Sequence, residues 1–310
     1  MSLDERAPLV RTPPPCLYLR VDVCTFRGLR DGVPRVLASL RRADARATFF
    51  VTMGPDASGL ALRKLLHPAF ALKVLRTRAV SSYGLATALY GTLLPAPLVG
   101  AGLPDHLRRI RDEGHEVGAH GWDHRRWQDG MPRFPRSRLA GEFEQMVDAF
   151  RRGLDAPPRA FAAPAWMLTP DLLALEEEAG LEYASDARGA RPFLPRLGGR
   201  DYTVPQVPVS LPTLDERIGI VGRRRFVAET IEQVGSSPGY ACYAAHAETE
   251  GGRWQPELEE ILRGCGRRAV PLREARREDL PRAAVEMRPL PGRPYPVAQA
   301  DAKELATGAC

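Results

Sequence analysis

The sequence predicts an α/β fold, a distorted (β/α) barrel of about seven strands, from two observations. Short apolar runs alternate with longer amphipathic stretches for most of the chain, the pattern of parallel strands joined by helical crossovers. Several of those runs end in an ionisable residue, and α/β barrels gather such residues at the C-terminal ends of their strands. The length of 310 residues allows one large domain or two small ones, and 44% hydrophobic with 26% charged residues is ordinary for a globular protein.

In chain order, Leu17–Val23 reads as a strand and Gly32–Arg42 as a helix. Ala47–Met53 is a strand, Pro104–Arg111 a helix and Glu116–His120 a third strand. A helix over Ser137–Arg152, a strand at Arg159–Ala163, a helix at Pro170–Ala179 and a short strand at Glu182–Ser185 follow. Pro205–Leu211 is strand-like and Arg224–Val234 helical. Tyr240–His246 is a strand, Gln255–Leu262 a helix and Ala269–Leu272 a last short strand. The expected organisation is an N-terminal arm over 1–16, the barrel over 17–275 and a loosely ordered, Pro- and Gly-rich tail over 276–310.

One stretch interrupts the pattern. Ala57 to Pro104 contains no Asp or Glu; its first half, through Arg78, is basic and amphipathic, and its second half carries no charge. Gly84, Gly91, Pro95 and Pro97 argue against a membrane span, which needs about 20 apolar residues in a row. The stretch fits contact with an anionic membrane surface, and equally an insertion packed on the barrel.

The N-terminus has acids at Asp4 and Glu5 and no apolar core of a secretory signal. Five scattered cysteines without a C-x-x-C pair point to a reducing compartment, so the expected location is cytoplasmic. The net charge of +6 comes mostly from arginine spread along the chain, which is also what a high-GC genome produces. No nucleic-acid-binding motif accompanies it.

The sharpest chemical signal is His115-Glu-Val-Gly-Ala-His120-Gly-Trp-Asp-His124, half of the six histidines within ten residues at a strand end. Two imidazoles four residues apart can meet one cation, and can also be a pair of surface or core histidines. His115 lies at the strand's start and reads as structural. In Asp22-Val-Cys24, residues i and i+2 of one strand share a face, so both would project into the barrel mouth. Strands ending at Asp186 and His246 add a second acid and a third histidine.

The order and spacing of these stretches resemble the polysaccharide deacetylase (NodB-homology) family. Within it they are most similar to the ArnD-type deformylases, which act on 4-deoxy-4-formamido-L-arabinose carried on undecaprenyl phosphate. The matching segments are Asp22–Pro34, His115–His124, Ser185–Gly189, Pro208–Asp215 and His246–Gly251, and the insertion around Ser82–Gly84 lies where those enzymes also carry one. The resemblance runs from about Leu17 to about Ala275.

It implies metal-dependent hydrolysis of a non-peptide C–N amide bond, with one divalent metal, zinc first among the options, on His120 and His124. Asp22 matches the general base that deprotonates the attacking water, His246 the general acid for the departing amine, and Asp186 the carboxylate that orients that acid. Arg188, Trp166 and Arg27 are implied as substrate contacts. The implied partner is an undecaprenyl-phosphate-linked amino sugar of lipid A modification, a step towards polymyxin resistance. The implied place is the cytoplasmic face of the inner membrane, held peripherally through about 57–104. Another N-acylated sugar is the alternative substrate.

Two positions depart from the family pattern. Cys24 stands where the second Asp of Asp-x-Asp completes the metal site, and Ala165-Trp166-Met167 stands where Trp-Arg supplies the arginine that pairs with the base. Cys24 can ligate as a thiolate, Asp22 can take over as third ligand, or the site can be degraded to a glycolipid-binding one. Loss of the arginine predicts an Asp22 pKa above the family's.

Overall fold

The computed structural model describes residues 16–61, 85–237, 239–275 and 277–307. Its centre is a parallel sheet ordered β5-β4-β3-β2-β1-β8, with β9 also pairing β1. The strands are β1 (Leu17–Val23), β2 (Thr48–Val51), β3 (Glu116–Ala119), β4 (Ala160–Phe161), β5 (Tyr183–Ala184), β8 (Ala241–His246) and β9 (Ala269–Val270). It curls into a half-barrel, as the expected seven-stranded distorted barrel requires.

Alternation along β1 divides the molecule into two layers. Leu17, Leu19, Val21 and Val23 enter the main core, while Tyr18 packs with Phe50, Ala160, Trp166, Tyr183 and Cys242 on the concave side. Arg20 and Asp22 share that concave parity and are buried. The helices cover the convex side, each for a visible reason. In α1 (Val33–Arg42), Val33, Val36, Leu37 and Leu40 form one buried stripe after a proline in the first turn. The short α2 (Leu85–Leu89), α3 (Pro104–Asp112) and α4 (His124–Gly130) precede α5 (Arg136–Leu154), which buries Leu139, Phe143, Met146 and Phe150 and stops at left-handed Asp155. In α6 (Pro170–Glu178) the Thr169 hydroxyl accepts from Leu172 N. Next come α7 (Leu214–Arg217), α8 (Arg223–Ser236) and α9 (Gln255–Gly264).

Two expectations are corrected. Pro205–Leu211 is not a regular strand. It bridges the open edges, with Val207 N donating to Ala184 O of β5 and Leu211 N to Cys242 O of β8, while Pro205 and Pro208 have no N–H for a ladder. The C-terminal segment is not a loose tail either. β10 (Arg282–Arg288) and β11 (Val297–Ala300) pair antiparallel, β10 joins β6 (Leu194–Leu197) and β7 (Arg200–Asp201) in a second sheet, and α10 (Ala302–Thr307) follows. Proline and glycine between β10 and β11 hid a hairpin held by tertiary pairing.

The basic half of the 57–104 stretch falls largely on residues 62–84 and lies outside the described residues. Its described remainder returns to the end of β2 through Val99 N to Gly54 O and Asp56 N to Pro97 O. This places Leu98 and its neighbours on the rim of the concave mouth. Among the described residues no helix is long and apolar enough to cross a membrane.

Candidate active site

The sequence pair His120 and His124 does not sit on one helix. His120 follows β3, and His124 is the first residue of α4, whose N-cap Asp123 accepts a hydrogen bond from Arg126 N. The intervening turn, with Gly121 at φ 75°, folds the two rings to 5.1 Å between centroids. Cys24, immediately after β1, joins them: one donor atom from each of Cys24, His120 and His124 lies within 4.8 Å of the others.

These donors fit a metal ion. His120 Nδ1 stands 2.7 Å from Ala162 O, a carbonyl that can only accept, so Nδ1 carries the proton and Nε2 offers its lone pair. Burial holds His120 at a pKa of about 4 and His124 well below its ordinary value, so both imidazoles are neutral. Burial, then Glu248, then Asp22 push the Cys24 thiol well above its usual range; a bound cation reverses that preference, since a coordinating thiol is deprotonated outright.

Asp22 does not share this cluster, because its carboxylate is taken. Arg20 Nε donates to Oδ1 at 2.6 Å and Nη2 to Oδ2 at 2.9 Å, a bidentate fork between residues two apart on one face of β1. Burial raises the Asp22 pKa, but Arg20 and His120 outweigh it, and the carboxyl falls to about 2. Asp22 thus has an arginine partner on its own strand, although none stands at Ala165–Met167. Arg20 in turn donates to Ser185 O and, at 3.0 Å, to Ser185 Oγ, and lies over the rings of Phe50 and Trp166.

His246 ends β8 in direct register with Asp22 on β1. Its backbone N–H donates to Glu250 Oε2 at 3.0 Å, and its buried Nδ1 has no hydrogen-bond partner among the described residues. Asp186, expected to orient His246, does not bond it. Alternation from Tyr183, on the concave side, through Ala184, in the convex core, puts Ser185 in the mouth and Asp186 behind the sheet. There Asp186 accepts from Ala163 N at 2.6 Å and Gln206 Nε2 at 2.9 Å, beside the buried Glu176 of α6.

The three expected substrate contacts divide. Trp166 is 2% exposed, too buried for a ligand to stack on it. Arg188 is nearly as enclosed, held by Glu216 at 2.7 Å and Leu211 O at 2.7 Å. Arg27 alone is accessible, beside Asp31 at 3.8 Å. His115 is structural as expected: its Nδ1 accepts from Ala47 N, and burial lowers its pKa to about 4.

Sequence reasoning passed over several residues at the mouth. Glu248 Oε1 accepts from Cys24 N, Thr25 N and Thr25 Oγ1 at 2.7–2.9 Å, fixing the loop that carries the thiol. A side chain on Gly28 would collide with that carboxylate, which is why glycine stands there. Both Glu248 and Glu250 follow His246 within four residues, so proximity was the available signal. Arg20 could have been found from its parity with Asp22. Gln206, Glu176 and Arg293 leave no local signal.

Comparison with known proteins agrees with this picture. The family model described as polysaccharide deacetylase matches residues 10–184. A relative from Shewanella sediminis, assigned as a 4-deoxy-4-formamido-L-arabinose-phosphoundecaprenol deformylase, is 38% identical over 246 residues, 79% of each chain. One of the same assignment from Wigglesworthia glossinidia brevipalpis is 30% identical, over 76% of this chain and 82% of its own. A crystal structure from Mycobacterium smegmatis, assigned to the polysaccharide deacetylases, aligns with a TM-score of 0.56 at 16% identity. It covers 87% of this chain and 91% of its own, a likeness of fold.

Proposed function

That the chain belongs to the polysaccharide deacetylase family is the premise from which we propose its reaction, removal of the formyl group from 4-deoxy-4-formamido-L-arabinose carried on undecaprenyl phosphate. It is a hydrolase of carbon–nitrogen bonds other than peptide bonds. The observation that carries the reading is the convergence of Cys24, His120 and His124 beside an ionised Asp22 and the register-paired His246. The two deformylase relatives, aligned over most of their length, support the substrate.

Cys24, His120 and His124 would hold one divalent metal, and a thiolate with two imidazoles favours zinc over harder ions. Bound there, it would supply Lewis-acid polarisation of the amide carbonyl and acidify water. Asp22 receives the proton of the attacking water. With a pKa of about 2 it is ionised throughout the neutral range but weakly basic, so it takes a proton only from an acidified donor. The Arg20 fork fixes where its lone pairs point. His246 gives a proton to the departing nitrogen, and formate and the free amine leave.

A lipid-linked substrate also fits the rim. Leu93 is 80% exposed, and Leu94 and Leu98 are exposed on the same segment, which hydrogen-bonds the loop after β2 through Pro97 and Val99. With the basic residues Arg63, Lys64, Lys73, Arg76 and Arg78 preceding them in the sequence, they suit an anionic bilayer at the cytoplasmic face of the inner membrane. Two measurements test the reading. Purified wild type should carry about one zinc per chain and release formate from the lipid-linked formamido sugar; a metal-free, inactive wild type whose Cys24→Asp variant gains both would sink the Cys24 ligand and point to an impaired member. The pair Leu93→Glu and Leu94→Glu should weaken co-sedimentation with anionic vesicles about tenfold, and unchanged binding would remove the rim from the membrane contact.

A further inference from the structure

Trp166 is enclosed by three guanidinium groups from three separate parts of the chain. Arg20 of β1, Arg188 after β5 and Arg293 between β10 and β11 stand 5.4, 5.4 and 4.4 Å from the centroid of its ring. The indole is buried, its Nε1 has no acceptor among the described residues, and the backbone that presents it is strained. Ala165 and Trp166 are both left-handed, at φ 58° and 54°. L side chains rarely adopt this conformation, so the surroundings must hold the turn in place.

The charges around the ring alternate. Arg20 is forked onto Asp22. Arg293 pairs with Asp215 at 2.9 Å and with Glu216 at 2.9 Å, and donates to Thr213 Oγ1 at 3.0 Å, while Arg188 shares Glu216. The indole lets cations approach one another that would repel at this distance, because each faces the electron-rich ring and is bonded to a carboxylate. Arg293 and Arg20 thus meet at one ring, Arg293 bonded to Asp215 and Glu216 and Arg20 bonded to Asp22.

We propose that Arg293 is a positioning residue for the hydrolysis: it holds Trp166 against Arg20 and so fixes the fork in which Arg20 presents Asp22. The C-terminal hairpin is then part of the active-site wall, although it lies outside the parallel sheet. The inference rests on the proposed deformylation with Asp22 as base, and Trp166 emission reads the contact with Arg293 even where that activity is absent.

Arg293→Ala and Arg293→Lys in the full chain are compared with wild type for kcat, KM and Trp166 fluorescence, the last taken as the difference from the same protein carrying Trp166→Phe. Arg293→Ala should lower kcat about 10- to 100-fold with KM within about twofold, because misorientation of a reacting group acts on turnover rather than ground-state binding. Its Trp166 emission should shift to longer wavelength. Arg293→Lys should recover part of both, keeping the cation over the ring without the forked pairing. An Arg293→Ala protein with unchanged kcat overturns the proposal, whether or not emission or melting temperature moves. If wild type does not deformylate the lipid-linked sugar, the substrate reading fails, while Trp166 emission still reports whether Arg293 holds the stack; unchanged emission then overturns it.

Discussion

The two walls of the mouth are built in opposite ways. One wall is the donor set Cys24, His120 and His124, contributed by two short loops at the ends of β1 and β3, on either side of β2. Its residues need nothing from the rest of the molecule except placement, since burial leaves both imidazoles neutral and ready to ligate. The other wall runs from Asp22 through Arg20, Trp166 and Arg293 to Asp215 and Glu216, drawn from segments almost three hundred residues apart. None of its charges is tolerable alone in that buried setting; each exists because the next one does. The first wall is defined by what it can bind, the second by what it compensates.

The largest effect should come from the donor wall. His120→Ala removes one of the three proposed ligands, so bound metal should fall from about one per chain to a small fraction and turnover by about a thousandfold or more. Because the substitution leaves the arginine stack untouched, far-ultraviolet circular dichroism should not change. Full metal occupancy in this variant, measured by elemental analysis, would mean that His120 is not a ligand and would dissolve the distinction between the walls.

Arg20→Ala tests the opposite case. The donors remain, so metal should stay bound, while Asp22 is left buried with its main compensating partner gone. Breaking one side of a buried pair costs about 3–5 kcal/mol, and urea unfolding should register a loss of that order. Turnover should fall about a hundredfold from the freed carboxylate. An Arg20→Ala protein as stable as wild type would show that the wall does not work by mutual compensation.

The same contrast explains what could be read from the residues beforehand. His120, His124 and Cys24 carry their chemistry in residue type and short spacing, and a resemblance to a family could be hung on them. Arg20 was equally readable from alternation along β1, but the arginine was sought at Ala165–Met167, where the family keeps it. Asp186 was misplaced by one step of parity, because β5 is only two residues long and a strand that short barely constrains which face follows it. Pro205–Leu211 has the apolar alternation of a strand and lacks the N–H groups to be one. Arg293 sits in a segment whose composition suggests disorder, and only its pairing with Asp215 and Glu216 gives it a place.

The smallest predicted effect lies behind the second wall, at Glu176. This carboxyl is fully buried against Asp186, and burial followed by the Asp186 charge pushes its pKa well above the usual range. Asp186 already accepts from Ala163 N and Gln206, so Glu176 is the carboxyl of the two that keeps the proton. A raised folded-state pKa means that the folded chain holds a proton which the unfolded chain has released. Stability is therefore full below the ordinary glutamic acid range and declines as pH rises towards the folded value. Glu176→Gln retains an N–H donor for Asp186 and cannot ionise, so its melting temperature should decline less between pH 5 and 8. By pH 8 it should melt about 2–4 °C above wild type. A parallel decline in both proteins would mean that Glu176 is already ionised in the fold.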